Sequence, residues 1–291
     1  MDNRPIGIFD SGMGGLTVRA AIECALPHES LVYFGDGANL PYGPRPREEI
    51  VRFVDEAVGR LVERNGVKMI VIACNAATGA AIDHLRANYD IPIIGMEPAV
   101  KPAAQTTRTG TIGVLATAAA FKGSLYRTTS AEWKDKVRIL ETVGEGFVEL
   151  VENDCENMSK AIETVRHAME PMLAAGADRI VLGCTHYPFL AEQIGRVIDE
   201  FSARKPDVTE ISAGAIPGVE TDTKTGSAAA QIVDSAPAIA RRVGQLLAAL
   251  DLPADPTAVP NHLFLSFAGN DYIERLARKS AHVPRIVRNF E

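Results

Sequence analysis

Cysteine is scarce, with four in 291 residues, and no two of them stand in a C-x-x-C pair. So few thiols do not make a disulfide scaffold, and a reducing cytoplasm is the expected compartment. Basic residues are outnumbered: 30 Lys and Arg face 37 Asp and Glu, a formal charge of −7. An acidic chain without a basic cluster is a poor partner for nucleic acid or an anionic membrane. No apolar run reaches the ~18–20 residues that a membrane helix needs. The opening residues MDNRPIGIFDSG enter a strand pattern at once, so no signal peptide is expected. What is abundant is apolar residue, 46% of the chain. It is spread evenly enough for a large core and against disorder. The length suits one large or two medium domains.

Short apolar runs alternate with longer amphipathic stretches. Strands are expected at 5–9, 31–35, 68–73, 93–95, 111–116, 137–142, 178–183 and 209–211, several rich in Val and Ile with little alternation, as in strands covered on both faces. Helices are expected at 16–24, 46–65, 77–87, 121–131, 158–175, 191–200, 236–250 and 272–280. This alternation predicts an α/β fold with parallel sheets. The stretches LVERNGVKMIVIACNAAT and MLAAGADRIVLGCTHY both run helix end, glycine, buried strand, cysteine, polar residue. The strands PIGIFDSG and TIGVLAT also match loosely. We read a weak internal duplication: two pseudo-symmetric lobes, each a mainly parallel sheet flanked by helices, with the active site in the cleft between them. The proline-punctuated GMEPAVKPA marks the boundary, which gives residues 1–98 and 210–291 to the first lobe and 99–209 to the second. Open α/β sheets bind ligands beyond the carboxyl ends of their strands, so Cys74 and Cys184 should share one cleft. Residues 202–230, poor in large apolar side chains, read as a long loop, either lid or ornament.

Asp10-Ser11-Gly12-Met13-Gly14-Gly15 follows the first strand and precedes a helix, where glycines let backbone N–H groups approach an anion. The spacing is neither G-x-G-x-x-G nor a P-loop, so a capped strand–helix turn is the plainer reading. Asp36 and Pro41-Tyr42-Gly43 form a second strand-end loop, with Tyr42 read as an exposed aromatic held in a fixed place. A thiol at a helix N-terminus gains thiolate character, and His186 is placed to tune Cys184. Zinc on two Cys, His186 and Asp10 remains an alternative without the usual spacing. Cys24 and Cys155 lack polar partners and read as filler. Glu149 and Glu152, three apart, share a helix face, for which solvation is the plain account. Glu97 in GMEP stands at the lobe boundary as hinge or site residue.

The motifs IGIFDSGMGGLTV, FGDGANLPYG, VIACNAAT, IIGMEPAVKPA, GVLAT, GFVELVE and LGCTHYPFL, with VDSAPAIARRV and LFLSFAGNDYIERLA, resemble bacterial glutamate racemase in order and spacing. The likeness spans nearly the whole chain apart from about 205–230. It implies cofactor-independent, metal-free interconversion of L- and D-glutamate for peptidoglycan. Cys74 and Cys184 would stand on opposite faces of the substrate α-carbon, assisted by Asp10 and His186. Substrate contacts carry over to Ser11, Pro41, Tyr42, Gly43, Asn75, Thr117 and Thr185. Asp36 and either Glu149 or Glu152 would be auxiliary acids. The implied partner is a small amino acid, with a homodimer compatible. Three positions depart from the pattern: Ala76 and Ala120 replace hydroxyl residues, and Asn39 replaces an arginine. A hydrogen bond lost to a charged group is worth ~1.5–3 kcal/mol. Either the reaction is weakened or lost, or the substrate of this racemase or isomerase is a related amino acid.

Overall fold

The computed structural model describes residues 1–154, 159–204 and 229–283. In chain order it contains β1 (Ile6–Asp10), α1 (Leu16–Ala25), β2 (Leu31–Gly35), α2 (Arg47–Asn65), β3 (Met69–Ile72), α3 (Asn75–Asn88) and β4 (Ile93–Gly95). Next come α4 (Val100–Thr106), β5 (Thr111–Ala116), α5 (Ala118–Lys122), α6 (Ser124–Trp133), β6 (Arg138–Val143), α7 (Phe147–Glu152), α8 (Ser159–Ala174) and β7 (Arg179–Gly183). A 3-10 turn at Tyr187–Leu190 leads into α9 (Ala191–Arg204), then β8 (Gln231–Val233), α10 (Ala236–Ala249), β9 (His262–Leu265) and α11 (Asn270–Ser280).

Two sheets form, one in the order β4-β3-β1-β2-β9 and the other β6-β5-β7-β8. Every pairing in both is parallel. Pairing β1 to β4 with β5 to β8 in turn gives one topology twice, with β9 added at an edge of the first sheet. The duplication read from the cysteine motifs is thus a repeat of the whole four-strand unit. β1, β2, β3, β5 and β7 are buried along their full length, which explains their unbroken apolar runs. One apolar cluster runs through both lobes, from Leu16 and Tyr33 to Phe147, Met169 and Tyr187, and on to Leu276. Two further clusters cover the remaining faces.

The division of the chain differs from expectation in one respect. β8 pairs with β7 in the second sheet, whereas 210–291 had been given to the first lobe. The chain returns after Val233, because α10 packs on α1 and β9 pairs with β2. There Ser235 Oγ donates to the Glu97 carbonyl at 2.8 Å, joining the two crossings. β8 escaped notice because only its last residue, Val233, is buried, which leaves no apolar run like that of β4. Ser202–Arg204 belongs to α9, not to a loop. The rest of that loop up to residue 228, the strand expected at 209–211 and Cys155 lie outside the described residues. Among the described residues no helix is long and apolar enough to cross a membrane.

Candidate active site

Ends of β1, β3, β5 and β7 meet at one cavity of about 260 Å³. Its lining includes Ser11, Pro41, Tyr42, Gly43, Cys74, Asn75, Thr117, Cys184, Thr185, His186 and Glu149. The sequence-predicted residues therefore converge, apart from Asp10, Asp36 and Glu152, which stand behind that lining. Among the lining residues there is no Lys or Arg. Among the described residues no three His, Cys, Asp or Glu side chains converge as metal ligands.

On the first lobe, Cys74 caps α3. Its sulfur accepts the Ala77 N–H at 3.4 Å, and its thiol donates to Ser11 Oγ at 3.5 Å. A helix N-terminus favours a thiolate. Here burial wins and, with nearby Asp10, pushes the Cys74 thiol up to about 12. Asn75 follows, 6% exposed. Neither atom of its amide has a hydrogen-bond partner among the described residues. An unsatisfied buried amide costs ~1–3 kcal/mol, and this one borders the cavity.

Asp10 is fully buried. It accepts the Gly12 N–H at 2.9 Å and, from the other lobe, the Thr185 hydroxyl at 3.1 Å. Burial raises its carboxyl above the usual range, against the pull of His186 and the Gly12 and Gly15 amides. It is not among the residues that line the cavity. Tyr42 is 2% exposed, not exposed as expected, because its hydroxyl donates to Asp36 at 2.7 Å. Asn39, in the arginine's place, donates to both oxygens of Asp36 at 3.0 Å. Burial raises the Asp36 carboxyl, against these donors.

On the second lobe, His186 Nδ1 lies 3.8 Å from Cys184 Sγ, and Nε2 lies 2.6 Å from Glu152 Oε1. Burial opposes charge on this ring. The bonds to Cys184 and Glu152 outweigh burial and carry the imidazole well above its ordinary value. Glu152 is likewise held below the usual range: burial would raise it, and His186, the Met13 N–H at 2.7 Å and the Tyr272 hydroxyl at 2.9 Å prevail. His186 thus faces the sulfur with Nδ1 and the carboxylate with Nε2. The glutamates of α7 divide the work expected of either one: Glu149 lines the cavity and Glu152 holds His186.

Two amides of the glycine-rich loop are already bonded to protein carboxylates, Gly12 N–H to Asp10 and Met13 N–H to Glu152. Its glycines serve close approach: a Cβ at Gly12 would overlap the Glu152 carboxylate, and one at Gly14 the His186 ring. The altered alanines also separate. Ala76 lines the cavity, whereas Ala120 is buried outside it and gives its N–H to Thr117 Oγ at 3.2 Å. Sequence reasoning missed Tyr272, whose contact with Glu152 bridges 120 residues and leaves no local signal.

Residues 16–212 match the family model Asp/Glu/Hydantoin racemase. The glutamate racemase of Herpetosiphon aurantiacus is 40% identical over 252 residues, 87% of this chain and 88% of that protein. The Thermus thermophilus glutamate racemase structure, in complex with β-chloro-D-alanine, superposes with a TM-score of 0.71 at 32% identity, covering 100% of this chain and 98% of that one. The Escherichia coli enzyme, in complex with L-glutamate and the activator UDP-MurNAc-ala, gives 0.76 at 29% identity, covering 96% and 95%. With the paired strand-end cysteines and this degree of likeness, the chain belongs to the aspartate/glutamate racemase family of amino-acid isomerases.

Proposed function

We propose that the protein interconverts L- and D-glutamate without a cofactor, using Cys74 and Cys184 as a two-thiol acid–base pair, and so supplies D-glutamate for peptidoglycan in the cytoplasm. The observation that carries this reading is two thiols, one from each repeat of the fold, bordering a single cavity. Inverting a carbon needs a base on one face and an acid on the other. In one direction the Cys74 thiolate takes the α-proton and the Cys184 thiol delivers its own to the opposite face. The reverse direction exchanges the roles. Each turnover leaves the proton on the other sulfur.

Removing a proton alpha to a carboxylate places charge on that carboxylate, which preorganised donors must spread. With no Lys or Arg in the lining, neutral donors do this: the Asn75 amide, the Thr117 hydroxyl and the amides at the start of α3. The His186 imidazolium places positive charge beside Cys184 while that sulfur is negative. On the other side Asp10 opposes a thiolate at Cys74, and Ser11 and the Ala77 N–H favour one.

A second reading, a sister amino-acid substrate, rests on Ala76, which leaves a hydroxyl-free surface in the cavity. Proton NMR in D2O tests both. The protein is incubated with L- and D-glutamate, then with aspartate and other amino acids. Exchange of the glutamate α-proton with inversion supports the first reading. Exchange on another amino acid alone replaces it with the second.

A further inference from the structure

α11 belongs to the first lobe, yet it carries three side chains to the end of α7 in the second. Tyr272, Arg275 and Lys279 recur at i, i+3 and i+7, one face of a helix. Tyr272 donates to Glu152 Oε2 at 2.9 Å, Arg275 to the Glu152 carbonyl, and Lys279 to Asp154 Oδ1 at 2.7 Å and the Val151 carbonyl at 3.3 Å. The Tyr272 ring lies flush on Gly37, where any Cβ would overlap it, and Leu276 packs against Gly35. Tyr272 is itself buried and is not among the residues lining the cavity.

We propose that Tyr272 is a positioning residue for the reaction: its hydroxyl fixes and polarises the Glu152 carboxylate that holds His186 against Cys184, so the second thiol works only while α11 of the first lobe is docked on α7. The proposal rests on the two-thiol reading above. The geometry supports it at each link. Glu152 Oε1 is occupied by Met13 N–H and His186 Nε2, and Oε2 by Tyr272. The carboxylate cannot rotate without giving up one of these bonds. The charged and titratable groups around it are His186, Tyr272 and, more remotely, Asp10 and Tyr33, with Arg275, Lys279 and Asp154 at the end of α7. Tyr272 is the one of its three donors that a side-chain change can remove without touching His186 or the backbone.

The test is Tyr272→Phe in the full chain, which keeps the ring on Gly37 and deletes only the hydroxyl. Glu152→Gln and the double variant run beside it. The expected result is a fall in kcat of about tenfold or more, as for a lost hydrogen bond to a charged group, with KM nearly unchanged. The acid limb of the kcat profile should move to higher pH, because a carboxylate with one donor fewer is easier to protonate. Tyr272→Phe should add nothing to Glu152→Gln, since the hydroxyl acts through that carboxylate. 3-Fluorotyrosine installed at position 272 keeps ring and hydroxyl, so it tests the proposal even if the Phe variant fails to fold. As a stronger donor it should move the acid limb the other way. An unshifted acid limb in both variants, or additive losses in the double variant, overturns the proposal and leaves Tyr272 as packing. Full activity in Glu152→Gln overturns the reading of Glu152 itself, and is distinguishable because it does not depend on Tyr272.

Discussion

Cys74 and Cys184 end equivalent strands, β3 and β7, of the same repeated topology, but the two sulfurs live in different electrostatic settings. Cys74 has a hydroxyl, one backbone N–H and the buried Asp10 beside it, and its thiol is pushed up to about 12. Cys184 has the buried His186 ring beside it, backed by a carboxylate with two further donors. A duplicated scaffold thus delivers two thiols at equivalent strand ends, each among unlike neighbours. The cause lies in where each lobe is buried. The His186–Glu152 pair sits at the interface, where the Gly12–Gly14 turn and α11 of the first lobe close over it. Cys74 rests within its own lobe's α3 turn.

Removing either thiol should break the comparison most. Cys74→Ala and Cys184→Ala should each lower racemisation by about a thousandfold, within the usual range for a lost general acid–base group. Each should still exchange the α-hydrogen of one enantiomer in D2O, and a different one. Exchange of the same enantiomer by both variants would contradict two faces served by two thiols.

The imidazolium side comes next. His186→Asn should cost about 10–100-fold in kcat, as for loss of a charge-assisted contact. The two enantiomers have equal free energy, so kcat/KM must fall by the same factor for both, and polarimetry from each enantiomer checks this. A loss confined to kcat in one direction would sharpen the assignment of Cys184.

A third difference concerns stability. The folded-state value of His186 is raised above its unfolded one, so its contribution is fully present below about pH 6.5 and is lost as pH rises through the raised value. The melting temperature gap between wild type and His186→Asn should be widest near pH 6 and narrow toward alkaline pH. A gap that widens instead would mean the ring is neutral in the fold.

The smallest expected effect compares the two alanines. Ala76→Thr places a hydroxyl in the cavity and should lower KM for glutamate a few-fold, as for one added hydrogen bond. Ala120→Thr, buried outside the cavity, should leave KM alone and lower the melting temperature through overpacking. Equal changes in KM would remove the distinction between them.

Much of the site was legible beforehand because its signals are local. A buried strand that ends in cysteine and a polar residue announces both a sheet edge and a helix start, and that pattern occurs twice. The missed elements are short, like α4, or half-exposed edge strands, like β8 and β9. Neither kind accumulates enough periodic signal. Tyr42 was expected to be exposed and is buried, and Asp10 and Asp36 are buried beside it in contacts to protein groups. A strand-end side chain can point to ligand or protein, and only its neighbours decide.

The chain's own order of residues determined an α/β fold in two related halves, the four strand-end segments that meet at the cavity, and the thiols that end β3 and β7. Those follow from apolar periodicity and turn chemistry, which act over a few residues. The tertiary structure alone decided which carboxylate serves His186, that Asp10 is walled off, and that Tyr272 reaches Glu152 across 120 residues. The physical reason is burial: excluding water strengthens each polar contact and makes an unpaired charge costly. That condition exists only once the two lobes have closed on each other.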